Sequence, residues 1–70
     1  MKSAYLYQQY DELRVYNRIN SKPIAFLRNE KITLKRLGFV WDRCNHSYYL
    51  KNPTLETIKE VSKLCCIENR

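Results

Sequence analysis

Residues 34–50, LKRLGFVWDRCNHSYYL, contain the pattern that decides the predicted fold. Leu34 and Leu37 have the spacing of side chains on one face of a helix. Gly38 follows at once, and glycine is typical of the position just after a helix because it adopts a left-handed backbone without strain. With Asn29 as the N-cap, the pattern predicts a helix over about residues 29–37.

Beyond this helix the side chains alternate with a period of two up to a polar turn at Asn45-His46, and aromatic residues resume after it. This is the pattern of a β-hairpin. A two-residue loop at Asn45-His46 places Trp41 opposite Leu50 and Arg43 opposite Tyr48. Such cross-strand pairs each stabilise a hairpin by a fraction of a kcal/mol.

The first third of the chain also predicts strands. Two sets of residues alternate there, one apolar and one basic or aromatic: Leu13, Val15 and Ile19 against Arg14, Tyr16 and Arg18. This alternation is typical of a strand with one buried face. Turn signals lie on either side, at Asp11-Glu12 and Asn20–Pro23, and Ile24–Leu27 is predicted to add a short strand.

The C-terminal segment predicts a second helix over about residues 53–66. Its start has two candidate caps, Asn52 followed by Pro53, or Thr54 slightly later. An apolar stripe at helical spacing would face the core: Leu55, Ile58, Val61 and either Leu64 or Cys65.

These elements predict an α+β fold, in which a small antiparallel sheet of three to five strands carries two helices on one face in the rough order β-β-α-β-β-α. Residues 1–70 are predicted to form a single small domain. A chain of this length hides only about 60% of the surface that its unfolded form exposes. We therefore expect modest stability and no deep enzymatic cleft.

The net charge of +6 is concentrated in the middle of the chain. Residues 1–13 carry −1 and residues 52–70 carry no net charge, whereas nine Lys and Arg oppose two acidic residues between Arg14 and Lys51, for a local charge of +7. A field of that sign attracts polyanions such as nucleic acid. An acidic protein surface would serve equally well as a partner, and a basic face that only confers solubility is the remaining alternative.

Cations and aromatic rings are interleaved in this segment, as on surfaces that stack bases and neutralise phosphates. The residues predicted to bind the partner lie on a strand face, on a helix face and in the hairpin: Arg14, Tyr16, Arg18, Arg28, Lys31, Lys35 and Arg43. The sequence has no zinc-finger, helix-turn-helix or RNA-recognition signature.

The helix and hairpin of about residues 29–52 resemble a small domain of unknown function that is often attached to DNA-processing proteins. In that domain a helix ending in Leu-Gly leads to Arg/Lys-Trp-Asp, a polar turn and Trp-Tyr-Val/Leu. The matching positions are Trp41, Asp42, Tyr49 and Leu50, while Tyr48 stands at the second Trp position and Val40 stands where a basic residue is usual. The resemblance implies an association with nucleic-acid machinery and no particular activity.

Groups that would support catalysis or bind a metal are sparse. The soft ligands Cys44, His46, Cys65 and Cys66 lack the spacing of a zinc site. An odd number of cysteines, two of them adjacent, also argues against a disulfide framework. There is one glycine, hence no phosphate-binding loop, and no carboxylate pair is placed for acid–base catalysis. We expect reduced thiols, no metal, no cofactor and no enzymatic activity.

No stretch reaches the roughly 18 apolar residues that span a bilayer, and the N-terminus lacks the apolar core of a signal peptide. We therefore expect a cytoplasmic protein that does not associate with a membrane.

The predicted function is non-enzymatic binding of nucleic acid or a ribonucleoprotein. The alternative is a small phage-type inhibitor or adaptor, for example an anti-defence, anti-CRISPR-like protein, that blocks the nucleic-acid-binding or acidic surface of an enzyme. An exposed edge on a Tyr-rich N-terminal strand would also allow a homodimer.

Overall fold

Two helices pack against one face of a mixed sheet in the computed structural model of the protein, which describes residues 2–70. The elements follow the chain as β1 (Lys2–Tyr7), β2 (Glu12–Ile19), β3 (Lys22–Pro23), α1 (Arg28–Arg36), β4 (Val40–Asp42), β5 (Ser47–Lys51), α2 (Leu55–Ser62) and β6 (Ile67–Asn69). The predicted α+β class is confirmed. The structure has two short strands, β3 and β6, in addition to the predicted order β-β-α-β-β-α.

The longest strand, β2, lies at the centre of the sheet, whose strands are arranged β4-β5-β2-β1-β6. The far end of β2 pairs with β3 through a turn at Asn20 and Ser21, which both have positive φ. This is the backbone that a tight two-residue hairpin requires. The predicted turn at Asn20–Pro23 is therefore confirmed, although its last two residues form β3. The prediction of a strand at Ile24–Leu27 is wrong; in this segment the Asn17 side chain donates to the carbonyl of Ala25 (3.0 Å).

The C-terminal strand β6 has no counterpart in the prediction. The second helix ends at Ser62, and the chain then pairs parallel with β1, so that Ile67 lies opposite Ala4. The Arg70 N–H donates to the Leu6 carbonyl at 2.8 Å. A free sheet edge presents a row of unsatisfied backbone groups, and β6 satisfies those of β1. The sheet is therefore mixed, and its outer strands are β4 and β6, so the N-terminal strand does not offer the edge expected for a homodimer.

Gly38 ends α1 as the sequence predicts. Its φ of 99° lies in the left-handed region. The Phe39 N–H donates to the Leu34 carbonyl and the Gly38 N–H to the Lys35 carbonyl, each at 3.0 Å. These two hydrogen bonds run from the residues just after the helix back to carbonyls of its last turn and form a Schellman motif. The motif places Phe39 beside Leu34 in the core.

The start of α1 differs from the prediction. The N-cap is Leu27 rather than Asn29, and the Glu30 carboxylate accepts the Leu27 N–H at 2.8 Å. Glu30 is buried and also forms an ion pair with Lys2. Burial by itself would raise the pKa of Glu30, but the Lys2 ammonium and the Leu27 N–H together lower it. This carboxylate therefore replaces the capping side chain expected at Asn29.

The core lies between the helices and the sheet. Its buried members are Ala4, Leu13, Val15, Phe26, Leu34, Phe39, Tyr48 and Val61.

The prediction that Leu55 faces the core is wrong, because this side chain is 77% exposed. Helix α2 turns Thr57 and Val61 inward, and Leu55 lies about 200° around the helix from Thr57. Ile19 is 55% exposed because it lies beyond the part of β2 that pairs with β1 and β5. Thr54, one of the two predicted caps, accepts the Thr57 N–H at 3.2 Å.

Replacing Leu34 with alanine should lower the free energy of unfolding by about 2–5 kcal/mol, because the side chain is fully buried and its loss leaves a cavity. Urea denaturation followed by circular dichroism measures the change. Ile32→Ala is the matched control, since Ile32 lies in the same helix but is 58% exposed. We expect the control to change stability by less than about 0.5 kcal/mol. Equal losses in the two variants would contradict this packing.

Candidate functional site

The structure separates the seven predicted site residues into three groups. They lie along β2 on the face of the sheet that carries no helix (Arg14, Tyr16 and Arg18), on α1 (Arg28, Lys31 and Lys35), and in the turn between β4 and β5 (Arg43). The strand group and the helix group do not form one surface, because alternate residues of a strand point to opposite faces and α1 covers the other face. We call the face without helices the open face; it also carries Tyr5, Tyr7 and Tyr49.

Arg14 is the centre of a polar network on the open face. Its guanidinium donates to the carboxylates of Asp42 (2.8 Å) and Glu12 (2.9 Å) and to the Ser47 hydroxyl (2.8 Å). Burial alone would lower the pKa of Arg14, but hydrogen bonding to Asp42 and Glu12 raises it. Two carboxylates therefore balance the charge of Arg14, and the network ties β2 to β4 across β5.

Asp42 also orders the turn that carries Arg43. Its side chain accepts hydrogen bonds from the side-chain amide of Asn45 (2.8 Å) and from the backbone N–H of Cys44 (3.1 Å). The Asn45 amide and the Arg14 guanidinium lower the pKa of Asp42 to about 2. The carboxylate is therefore held in its charged form at neutral pH.

The predicted register of the β4–β5 hairpin, with Trp41 opposite Leu50, is wrong. Trp41 lies opposite Tyr48, and the loop comprises the four residues 43–46. The longer loop forms because the Asp42 side chain binds the N–H groups inside the turn, as a short polar side chain does at the start of many turns. The register differs by two residues, so each side chain keeps the face on which it is predicted to lie.

Tyr16 and Arg18 are neighbours on the open face, and Tyr16 presents little surface to a ligand. The Arg18 guanidinium carbon lies 4.0 Å from the centre of the Tyr16 ring. The Tyr5 and Tyr16 rings form an edge-on contact with their centres 5.6 Å apart. Only 8% of Tyr16 is exposed. Tyr5 in turn has the Arg70 guanidinium 4.2 Å from its ring centre. A cation–π contact within the protein thus already involves Tyr16, the one ring among the predicted binding residues.

A groove of about 380 Å³ lies between α1 and β4, and we call it the α1 groove. Its walls are formed by Ala25, Phe26, Lys31, Lys35, Trp41 and Tyr48. Of the residues that the structure describes, none with a carboxylate lines this groove. Its volume falls within the range of about 300–1,000 Å³ that is usual for ligand sites. Aromatic rings and ammonium groups are therefore its main chemical features.

Trp41 is the largest exposed ring in the α1 groove. It points toward the helix-bearing face opposite Tyr48, but β4 is an outer strand, so no further strand covers it. The ring centre lies 4.9 Å from that of Tyr48 and 6.4 Å from that of Phe26. Both rings contact Trp41, and 41% of Trp41 stays exposed.

Lys31 and Lys35 are one helical turn apart on α1 and contribute uncompensated positive charge to the groove. Neither takes part in an ion pair with another residue of the described chain, 2–70. The other helix offers a contrast. Lys59 and Lys63 have the same spacing, but Lys63 pairs with Glu60 at 3.2 Å. One lysine of this second pair is thus neutralised, whereas neither Lys31 nor Lys35 is paired within the described chain.

The rest of α1 preserves this positive charge. Its acidic residue, Glu30, is buried and binds Lys2 on the first strand. Arg28 is exposed and lies three residues before Lys31, on the same side of the helix. The predicted row of cations, Arg28, Lys31 and Lys35, therefore follows one side of α1.

Trp41 and Phe26 are absent from the predicted site residues. No local signal finds Trp41, because alternation with a period of two places Phe39 and Trp41 on the buried face and Val40 on the other. Val40 is indeed 51% exposed on the open face, but the local pattern does not show that Trp41 is exposed as well. No sequence signal marks Phe26, whose position follows from an edge-on contact with Tyr48 at 5.2 Å.

The thiols have no evident chemical partner. Cys44 and Cys66 are exposed, Cys65 is half-buried, and all three are free; burial raises the pKa of the Cys65 thiol. Among residues 2–70, no three His, Cys, Asp or Glu side chains cluster closely enough to hold a metal ion. Neither helix of the described chain has both the length and the apolar composition needed to cross a membrane.

Comparisons with known proteins leave the α1 groove as the main guide to function. No protein family matches the chain, and neither a curated protein nor a solved structure with significant similarity was found. The resemblance of about residues 29–52 to the small domain attached to DNA-processing proteins therefore stays a prediction.

Replacing Asp42 with asparagine should destabilise the protein at neutral pH, and this loss should shrink in acid. The pKa of Asp42 is about 2 in the folded protein against an ordinary value of 3.8. Its charge therefore stabilises the fold above about pH 4, and that contribution is lost as the pH falls through about 2. Asparagine retains an acceptor for the turn but has no charge to offer Arg14. Urea denaturation over this pH range measures the difference between wild type and variant.

Asp11→Asn provides the control, because it removes a carboxylate that forms no ion pair within residues 2–70. We expect a smaller effect at neutral pH than for Asp42→Asn. If the deficit of the Asp42 variant were the same at about pH 6 and at about pH 2, the ion pair with Arg14 would not be its cause.

Proposed function

We propose that this protein is a non-enzymatic module that binds nucleic acid, free or within a ribonucleoprotein, through the α1 groove. The observation that carries the proposal is an exposed Trp41 ring beside the ammonium groups of Lys31 and Lys35, in a groove without acidic lining. Aromatic rings stack on bases, and ammonium groups neutralise phosphates. The two kinds of group together match a chain that alternates flat bases with phosphates.

An acidic protein surface is the competing partner for the same charge. Such a surface would engage Lys31 and Lys35 through its carboxylates. It would have no specific use for an exposed indole ring between α1 and β4, whereas a nucleotide uses both the ring and the cations. The presence of Trp41 in the groove therefore favours nucleic acid.

Further cations lie on either side of the groove. Arg28 extends the row on α1, and Arg43 follows Trp41 by two residues in the hairpin turn. Trp41 and Arg43 also line a shallow cavity of about 550 Å³ on the other side of β4, where Arg14 and Lys51 lie beside the carboxylates of Glu12 and Asp42. The positive charge that a ligand longer than one nucleotide would meet beyond the groove therefore comes mainly from Arg28 and Arg43.

The proposal assigns different roles to the residues predicted from the sequence. Four of them would contact the ligand: Arg28, Lys31, Lys35 and Arg43. The other three, Arg14, Tyr16 and Arg18, belong to the open face, where the charge of Arg14 is balanced by Glu12 and Asp42. Their main role in this proposal is to hold the sheet together.

The double variant Lys31→Ala, Lys35→Ala should bind nucleic acid more weakly than wild type, with a weaker dependence on salt. Binding of mixed-sequence oligonucleotides is measured by fluorescence anisotropy between about 50 and about 200 mM salt. If each lysine neutralises a phosphate, the slope of log affinity against log salt should fall by about 2 in the double variant.

Lys59→Ala, Lys63→Ala is the matched control, because it removes the same charge at the same spacing from α2 and the residue that follows it. It should bind nearly as wild type does. If wild type binds no nucleic acid even at low salt but co-purifies with one protein, the proposal is wrong and the inhibitor or adaptor function takes its place.

A further inference from the structure

We infer that the α1 groove accepts an unpaired base, so that the ligand is single-stranded nucleic acid rather than a duplex. This inference rests on the proposed function and names its substrate class. The base would lie against the Trp41 ring, with the phosphates on either side of it bound by Lys31 and Lys35. Charge complementarity and the free ring are the two observations that support this occupant.

The ring of Trp41 has no stacked partner within residues 2–70. Its three ring neighbours all meet it at steep interplanar angles, 87° for Phe26, 59° for Tyr48 and 67° for His46. Offset parallel stacking is the arrangement in which a base binds an indole, and none of these contacts uses it. A base that stacks on the exposed part of the ring would therefore displace no stacked partner.

Stacking on Trp41 excludes bases that stay in a duplex. Bases in a duplex are stacked on each other and present only their edges in the grooves. A base can stack on Trp41 in the α1 groove only if it leaves the stack of the duplex. Single strands present such bases without the cost of unpairing, which is why single-stranded ligands are usually read by stacking on aromatic side chains.

The lysines suit the phosphates that flank such a base. Lys31 and Lys35 are separated by about 6 Å along the axis of α1, and both line the groove that contains Trp41. Since no carboxylate of the described lining competes for them, both ammonium groups are available to the same strand. Both RNA and DNA supply an unpaired base with two flanking phosphates, so the inference covers this shared chemistry.

Trp41 is the sole tryptophan of the chain and therefore reports directly on base stacking. Wild-type protein is titrated with four ligands of equal length: single-stranded RNA, single-stranded DNA of the same sequence, the corresponding DNA duplex, and an abasic DNA backbone. We expect quenching of tryptophan fluorescence by at least one of the single strands. That strand should bind about tenfold more tightly than the duplex and the abasic backbone, and the tighter of the two single strands identifies the natural sugar.

Two variants test the ring itself with a labelled oligonucleotide. Trp41→Ala should lose about tenfold in affinity for the single strand, with an unchanged salt slope, and Trp41→Phe should recover part of that loss. Tyr10→Ala is the control, since Tyr10 is an exposed ring outside the α1 groove, and it should bind as wild type does. Circular dichroism establishes that each variant is folded, and the titrations of wild type do not depend on the variants.

Equal affinity for single strand and duplex, or an abasic backbone that binds and quenches as strongly as the intact strand, would overturn the inference. The proposed function would survive that result, because binding through phosphates alone would still be salt-dependent. Absence of binding to all four ligands at low salt would instead overturn the proposed function and the inference together.

Discussion

The left-handed backbone at Gly38 determines where α1 lies relative to the hairpin. With a φ of 99°, Gly38 allows the Phe39 N–H to return to the Leu34 carbonyl at 3.0 Å. A side chain at this position would disfavour that conformation. Only residues 37–39 separate α1 from β4, so the last turns of the helix and the first residues of the strand have to lie side by side. The groove between Lys35 and Trp41 is a direct consequence.

Charge is arranged differently on the two sides of the sheet. On the open face, Arg14 is neutralised by Glu12 and Asp42, and the cations there also contact tyrosine rings. Half-buried charges of this kind need partners, because burial without them is costly. On the side of the helices, the acidic residue of α1 binds Lys2, which leaves Lys31 and Lys35 facing only the groove. The local charge of +7 therefore comprises a part that is paired within the protein and a part without an ion pair among residues 2–70.

Local chemistry predicts several features of the fold correctly. Gly38 ends a helix, Thr54 begins one, and the turn that includes Asn20 and Ser21 reverses the chain, each through backbone preferences that act within a few residues. The errors fall where a distant partner competes with the local pattern. The helical stripe continues past Ser62, yet the chain leaves the helix because the edge of β1 offers backbone hydrogen bonds.

The sequence by itself determined the α+β class, the segment that carries the excess positive charge and the row of cations on α1, because these follow from composition and from side-chain periods of 3.6 and 2. Tertiary structure decided which of those charges are neutralised and which aromatic ring is exposed. Arg14 meets Asp42 across 28 residues of chain, and Trp41 is exposed because β4 has no neighbour on its outer side. Neither relation is contained in a local pattern, since both depend on the order of strands in the sheet.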